Sequence, residues 1–248
     1  MTTQPRTVPP TTWALNEVLR VCVVLDESHC AAAGRSVTQT VADAVAGGAT
    51  MIQVRAKNAD DREFYSLIAH VCAVVDGQVP VLVNDRVDLF LAARMDTMAV
   101  AGVHVGQRDL PVSVVRRLVG QHALIGVSAS RKEEIRSASH DWAAVSYIGL
   151  GALHATGTKA DAPAPLGLEA VAQRIELATV PTVVIGGITV ADVPAVRAVG
   201  AAGVAVSSAV CGARDAVAAA AQFRSAWDGT PVGVGKQEGH TTTAGGSQ

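Results

Sequence analysis

Short apolar runs of strand length alternate with helix-length runs along almost the whole of this 248-residue chain, and the strand-like runs keep ending in polar residues. The strand-like runs cover 21–25, 50–55, 79–83, 102–105, 123–127, 144–148, 181–185 and 203–206. Helical runs fall between them at 36–46, 60–75, 85–94, from Pro111 onward, 131–139, 168–177 and 191–199, and one at 213–227 closes the series. Local signals punctuate the elements: Gly47-Gly48 stops a helix, Pro80 suits a strand start, Pro111 suits a first helical turn, and Ser130-x-x-Glu133 reads as a capping box. Eight strands, each followed by a helix, fit a closed parallel (β/α)8 TIM barrel of the α/β class better than an open sheet. Such a barrel gathers residues that are distant in sequence at one face.

Hydrophobic residues make up 49% of the chain and aromatics only 3%, so the core must be built from Val, Ala and Leu, which suits parallel strands covered by helices. No Pro/Gly/Ser-rich linker divides the middle. A single domain over 13–227 is expected, flanked by disordered tails at 1–12 and 228–248, both aperiodic and polar. A net charge of −2 with no basic stripe argues against nucleic-acid binding but leaves room for a local phosphate site. The apolar stretches are too short and interrupted to span a membrane, and the N-terminus lacks the apolar core of a secretory signal, so a cytoplasmic location is expected. Cys22, Cys30, Cys72 and Cys211 form no close pair and have no His cluster beside them. They read as free thiols in a reducing compartment rather than as zinc ligands.

The chemistry lies at the strand ends. Gln53, Arg55 and Lys57 are spaced by two, so a strand continuing that far turns all three to one side and Ile52 and Val54 to the other. Such convergence needs a charged ligand to offset burial, and a diphosphate would satisfy both cations. The competing reading is a strand end running into a solvated loop. Asn84-Asp85 ends the third strand and Asp109 follows the fourth. Two carboxylates on neighbouring strand ends can share Mg2+, which prefers oxygen ligands and often combines one or two carboxylates with substrate phosphates. Each Asp could instead cap a helix.

Thr156-Gly157-Thr158-Lys159 follows the sixth strand and offers hydroxyls, flexible backbone and a cation to an anion, without the glycine spacing of a P-loop. Gly186-Gly187 ends the seventh strand and Ser207-Ser208 the eighth, where barrels of this kind often bind phosphate; ordinary turns are the alternative. Ser128 ends the fifth strand and could reach the same mouth. His104 reads as a satisfied interior histidine, since no His or Cys stands near it. No Ser/His/Asp triad and no Cys nucleophile with a supporting base is evident.

Taken in order, Gly47-Gly-Ala49, Gln53-x-Arg-x-Lys57, Val83-Asn-Asp85, His104-Val-Gly-Gln-Arg-Asp109, Gly126-Val-Ser128, Gly149-Leu-Gly151, Thr156-x-Thr-Lys159 and Gly186-Gly-Ile188 make the chain resemble the thiamine phosphate synthase family from about residue 21 to 227. The resemblance implies a Mg2+-dependent transferase that joins hydroxymethylpyrimidine diphosphate to a thiazole phosphate and releases diphosphate. It implies that Gln53, Arg55, Lys57, Asn84, Ser128 and Lys159 bind the pyrimidine diphosphate, with Arg55, Lys57, Ser128 and Lys159 taking part in the chemistry. It assigns the thiazole phosphate to Thr156, Thr158, Gly187, Ser207 and Ser208, and magnesium to Asp85 and Asp109. The implied reaction is dissociative: diphosphate leaves first and the thiazole nitrogen attacks the resulting methylene cation. Three departures stand out: a longer segment between Asp85 and Asp109, Ala101-Gly102 where Asp-Gly is usual, and no proline in Ala152-Leu-His-Ala155.

Two other readings share the barrel. A thiazole tautomerase would keep the thiazole-phosphate loops but has no use for Lys57, Asp85, Asp109 and Lys159. A catalytically silent barrel that binds thiazole phosphate would not need the metal ligands. The expected partners are small molecules, with no nucleic acid and no membrane, and homo-oligomerisation is left open.

Overall fold

The computed structural model describes residues 14–140, 144–155 and 164–229. Its centre is a closed barrel of eight parallel strands in sequence order, with β8 returning to β1. The strands are β1 (Val21–Val24), β2 (Met51–Val54), β3 (Val81–Asn84), β4 (Val100–Val105), β5 (Leu124–Ser128), β6 (Tyr147–Gly151), β7 (Thr182–Ile185) and β8 (Gly203–Val206). The helices are α1 (Leu15–Val18), α2 (Glu27–Ala32), α3 (Val37–Ala46), α4 (Asp61–Val75), α5 (Val87–Met95), α6 (Val112–Val119), α7 (Lys132–His140), α8 (Gly167–Ile175), α9 (Val193–Ala198), α10 (Ser208–Cys211) and α11 (Ala216–Asp228). The expected α/β barrel is thus the fold.

The period-two rule sorts the strand residues into two layers. Val21, Val23, Ile52, Val54, Val81 and Val83 face the helices, in one continuous buried layer. Cys22, Val24, Met51, Leu82, Tyr147, Val183 and Ala205 fill the inside. Val18 and Leu19, on and just after α1, pack against this inner set. The outer layer is the larger, and each fully buried Val or Leu side chain contributes roughly 1.5–3 kcal/mol.

Several expected boundaries move by one to three residues. The sixth strand lies three residues later than expected, because the run from Ala144 to Leu150, apolar or small apart from Ser146, carries no regular alternation to fix its ends. The helix expected from residue 85 starts at Val87: Asp85 sits at φ 63, a left-handed conformation, and the cap position is Arg86, with no side-chain cap. The longer segment before Asp109 is absorbed in two places. Thr97 turns the chain at φ 59, and β4 begins early with an irregularity opposite Val81 and Leu82. At α7 the back-bonding carboxylate is Glu134, which accepts from the Ser130 and Arg131 amides at 2.9 and 3.0 Å, rather than Glu133. Three short helices escaped the sequence reading: α1, α2 and α10, of four, six and four residues, are too short to show a helical period. The last helix runs through Asp228, which accepts hydrogen bonds from Arg20 and Arg224. Residues 1–12 and 230–248, expected as tails, lie outside the described residues.

Candidate active site

The C-terminal strand ends place most of the expected polar set at one mouth. Gln53 and Arg55 are 6% and 8% exposed, and Asn84 is 8% exposed, so three hydrogen-bonding side chains are buried where a barrel otherwise packs hydrocarbon. β2 stops at Val54, and Lys57 therefore stands on an exposed loop instead of continuing the inward row. Arg55 is held from β1: its Nη1 lies 3.6 Å from Asp26 Oδ2. Its Nη2 is buried without a partner among the described residues. Asp26 is the N-cap of α2 and accepts the Ser28 and His29 amides at 3.1 and 3.4 Å. Burial alone would raise its carboxyl; the bonds from Ser28 and His29, with the His29 charge, outweigh burial and hold it below the usual carboxylate range.

A hydrogen-bonded row crosses the barrel interior. The Tyr147 hydroxyl is 2.9 Å from His104 Nδ1, and His104 Nε2 is 2.9 Å from the Ser128 hydroxyl. Burial pushes the Tyr147 phenol well above its ordinary value, while a hydrogen bond from Gln53 works the other way. Room for the imidazole comes from glycine: a Cβ at Gly126 would lie 2.5 Å from His104 Nδ1. His104 is thus the satisfied interior histidine that the sequence suggested, but its partners are site residues. Tyr147 and Asp26 were missed. Tyr147 stood inside an apolar run, and Asp26 lay in what read as a loop.

Asp85 and Asp109 follow the paired strands β3 and β4, where Asn84 stands opposite His104. The Asp85 amide donates to the His104 carbonyl at 2.8 Å, tying the two strand ends together. Both carboxylates are exposed. Asp109 Oδ2 accepts the Gly106 amide at 2.6 Å, and α6 begins beyond Pro111, so neither Asp caps the following helix. Gln107 Nε2 donates to the Ser128 carbonyl at 2.7 Å and links the same loop to β5. Among the described residues no group of three His, Cys, Asp or Glu could hold a metal. Two hard carboxylates suit a cation that draws its remaining oxygens from phosphate and water, as Mg2+ commonly does.

Across the mouth, Ser207 Oγ is buried and has no partner among the described residues, and Ser208 beside it is exposed. Gly186 and Gly187 have φ of 100 and 65. A Cβ at Gly187 would lie 2.9 Å from His154 Cβ, so this turn needs glycine for both its backbone and its packing. Thr156, Thr158 and Lys159 lie outside the described residues.

Buried polar groups at the C-terminal mouth of a parallel barrel define an α/β barrel whose candidate active site lies at that mouth. A sequence profile described as thiamine monophosphate synthase matches residues 21–210. The thiamine-phosphate synthase of Clostridium novyi is 41% identical over 178 residues, covering 71% of this chain and 84% of that protein. That of Syntrophomonas wolfei is 40% identical over 196 residues, covering 79% and 90%. The structure of a thiamine phosphate pyrophosphorylase from Pyrococcus furiosus superimposes with a TM-score of 0.75 at 30% identity, covering 87% of this chain and 98% of that one. The chain belongs to the thiamine monophosphate synthase family, a family of transferases.

Proposed function

We propose that the chain condenses hydroxymethylpyrimidine diphosphate with hydroxyethylthiazole phosphate, giving thiamine phosphate and diphosphate. The observation that carries this reading is Arg55: a guanidinium 8% exposed whose Nη2 finds no partner among the described residues. A buried cation left so is costly unless a ligand anion completes it. We assign the diphosphate to Arg55 with Lys57 and Lys159, and the pyrimidine to Gln53, Asn84 and Ser128. Asp85 and Asp109 would hold Mg2+, which when bound neutralises charge on the departing diphosphate. We assign the thiazole phosphate to Thr156, Thr158, the Gly187 backbone, Ser207 and Ser208. The orphaned Ser207 hydroxyl supports that placement.

The chemistry is a substitution at the exocyclic methylene. The bond from that carbon to the diphosphate oxygen breaks with its electron pair going to oxygen, and the thiazole nitrogen then supplies the pair for the new C–N bond. No strong base is required. Arg55, Lys57 and Lys159 stabilise charge as it builds on the leaving oxygens. The row Tyr147–His104–Ser128 orients the pyrimidine. A Tyr147 hydroxyl donating to Nδ1 leaves the imidazole proton on Nε2, which donates to Ser128 and frees the Ser128 hydrogen for the substrate.

The barrel, 13–227, would act as one catalytic unit. A cytoplasmic setting agrees with four free, buried cysteines. Among the described residues no helix is long and apolar enough to cross a membrane. Retention of both Asp85 and Asp109 favours the synthase over a tautomerase or a silent binding barrel.

The test is product formation from both substrates against magnesium concentration. Asp85→Ala and Asp109→Ala should each lose about a hundredfold or more of turnover with unchanged circular dichroism. Full activity of the Asp109 variant at low magnesium would refute that ligand.

A further inference from the structure

The turn Gly186-Gly187 is pinned from outside by a pair that the site assignments do not use. The His154 and Leu153 amides continue the β6–β7 ladder, donating to the Gly186 and Ile185 carbonyls at 3.0 and 2.9 Å. The His154 side chain passes over Gly187, and its Nε2 reaches Asp192 Oδ1 at 3.0 Å. A carboxylate only accepts, so Nε2 carries the proton. The other oxygen, Asp192 Oδ2, accepts the amide and the hydroxyl of Thr189 at 2.8 and 2.7 Å. Burial would raise the Asp192 carboxyl; the bonds from Thr189 and His154 outweigh it and keep it lowered and charged. The strand-seven loop is thereby held at Thr189 by Asp192 and covered at Gly187 by His154.

We propose that His154 and Asp192 are a positioning pair for the thiazole-phosphate subsite, fixing the Gly186-Gly187 backbone in the conformation that receives the phosphate. This rests on the function proposed above. Two consecutive glycines lose more backbone freedom on ordering than any other pair of residues. If the turn is already fixed in the free enzyme, the anion does not bear that cost on binding. The side chains of His154 and Asp192 are 48% and 24% exposed, and a hydrogen-bonded pair so placed adds little to global stability. The pair should therefore be visible in ligand affinity and nearly silent in unfolding.

The experiment combines calorimetric binding of thiazole phosphate, steady-state kinetics and thermal unfolding on wild type, His154→Ala, His154→Gln, Asp192→Asn and the double variant His154→Ala/Asp192→Asn. The His154→Ala variant should weaken thiazole-phosphate binding and raise its KM about tenfold, with kcat changed less than about threefold. The KM for the pyrimidine diphosphate and the melting temperature should hardly move. Gln at 154 can still donate to Asp192 and should recover most of the affinity, and the double variant should be no worse than the worse single one. Unchanged thiazole-phosphate affinity in both single variants, or equal loss for both substrates together with a lower melting temperature, would overturn the proposal. If the wild type binds thiazole phosphate but forms no product, the synthase reading falls while the binding comparison still judges the pair. If it does not bind thiazole phosphate at all, both fall.

Discussion

Asp26 Oδ2 stands 3.6 Å from Arg55 Nη1, so an N-cap at the end of the first strand also orients the cation at the end of the second. One carboxylate thus organises a helix start and faces one side of the Arg55 fork, while Nη2 has no partner among the described residues. Replacing Asp26 by Ala should raise the KM for the pyrimidine diphosphate about tenfold, because a misaimed guanidinium loses its geometry rather than its charge. Steady-state kinetics with each substrate varied in turn check this; an effect confined to thiazole phosphate would contradict it.

The same residue predicts an acid response. The Asp26 carboxyl is held below its usual 3.8 in the folded chain. Its stabilising contribution is therefore complete above that value and lost as pH falls through the folded-state value. Wild type should exceed Asp26→Asn in denaturant stability at pH 7, and the gap should shrink at pH 3. A gap that widens on acidification would contradict the assignment.

Arg116 is a second buried cation, whose two terminal nitrogens are held by protein carbonyls while Nε has no partner among the described residues. Its Nη1 donates to the Gly120 and Ala123 carbonyls at 2.8 and 2.7 Å, and Nη2 to the Ala144 carbonyl at 2.9 Å. It joins the end of α6 to the approaches of β5 and β6. Arg116→Met should cost about 3–5 kcal/mol of unfolding free energy, since three carbonyls lose their donor. Urea unfolding measures it, and a loss below about 1 kcal/mol would show that water replaces the side chain.

The thiols should react unequally. Contact with the Cys211 thiol lowers Cys30, against burial, with help from Thr40 and Arg35, while Cys30 in turn raises Cys211. Burial pushes Cys22 and Cys72 up to about 12. The thiolate is the nucleophile, so limited alkylation of the native protein at pH 7 should mark Cys30 before the other three. Mass spectrometry of the peptides decides, and earlier labelling of Cys22 or Cys72 would count against this electrostatic picture.

The barrel was legible because every strand-length run was followed by a helix-length one, a pattern that survives errors of a few residues at each end. The shift of β6 shows the limit: Ala144 to Leu150 is apolar or small apart from Ser146, and what sets the strand is the Gly126–Tyr147 register, a long-range pairing. Gln53 and Arg55 were readable from period-two spacing, but Lys57 was not, because the strand stops at Val54. Asp26, Tyr147 and the His154–Asp192 pair were invisible for one reason. Each acquires its role from a partner 29, 43 or 38 positions away, and neither short-range periodicity nor capping signals carry that information.

The most direct measurement follows thiamine phosphate and diphosphate together, in the presence of Mg2+, for wild type and Arg55→Gln. The account predicts one diphosphate released per thiamine phosphate formed by wild type. It also predicts a loss of about a hundredfold or more in turnover for Arg55→Gln, with the barrel intact by circular dichroism. Wild-type turnover in Arg55→Gln, or diphosphate released by wild type without matching thiamine phosphate, would contradict it.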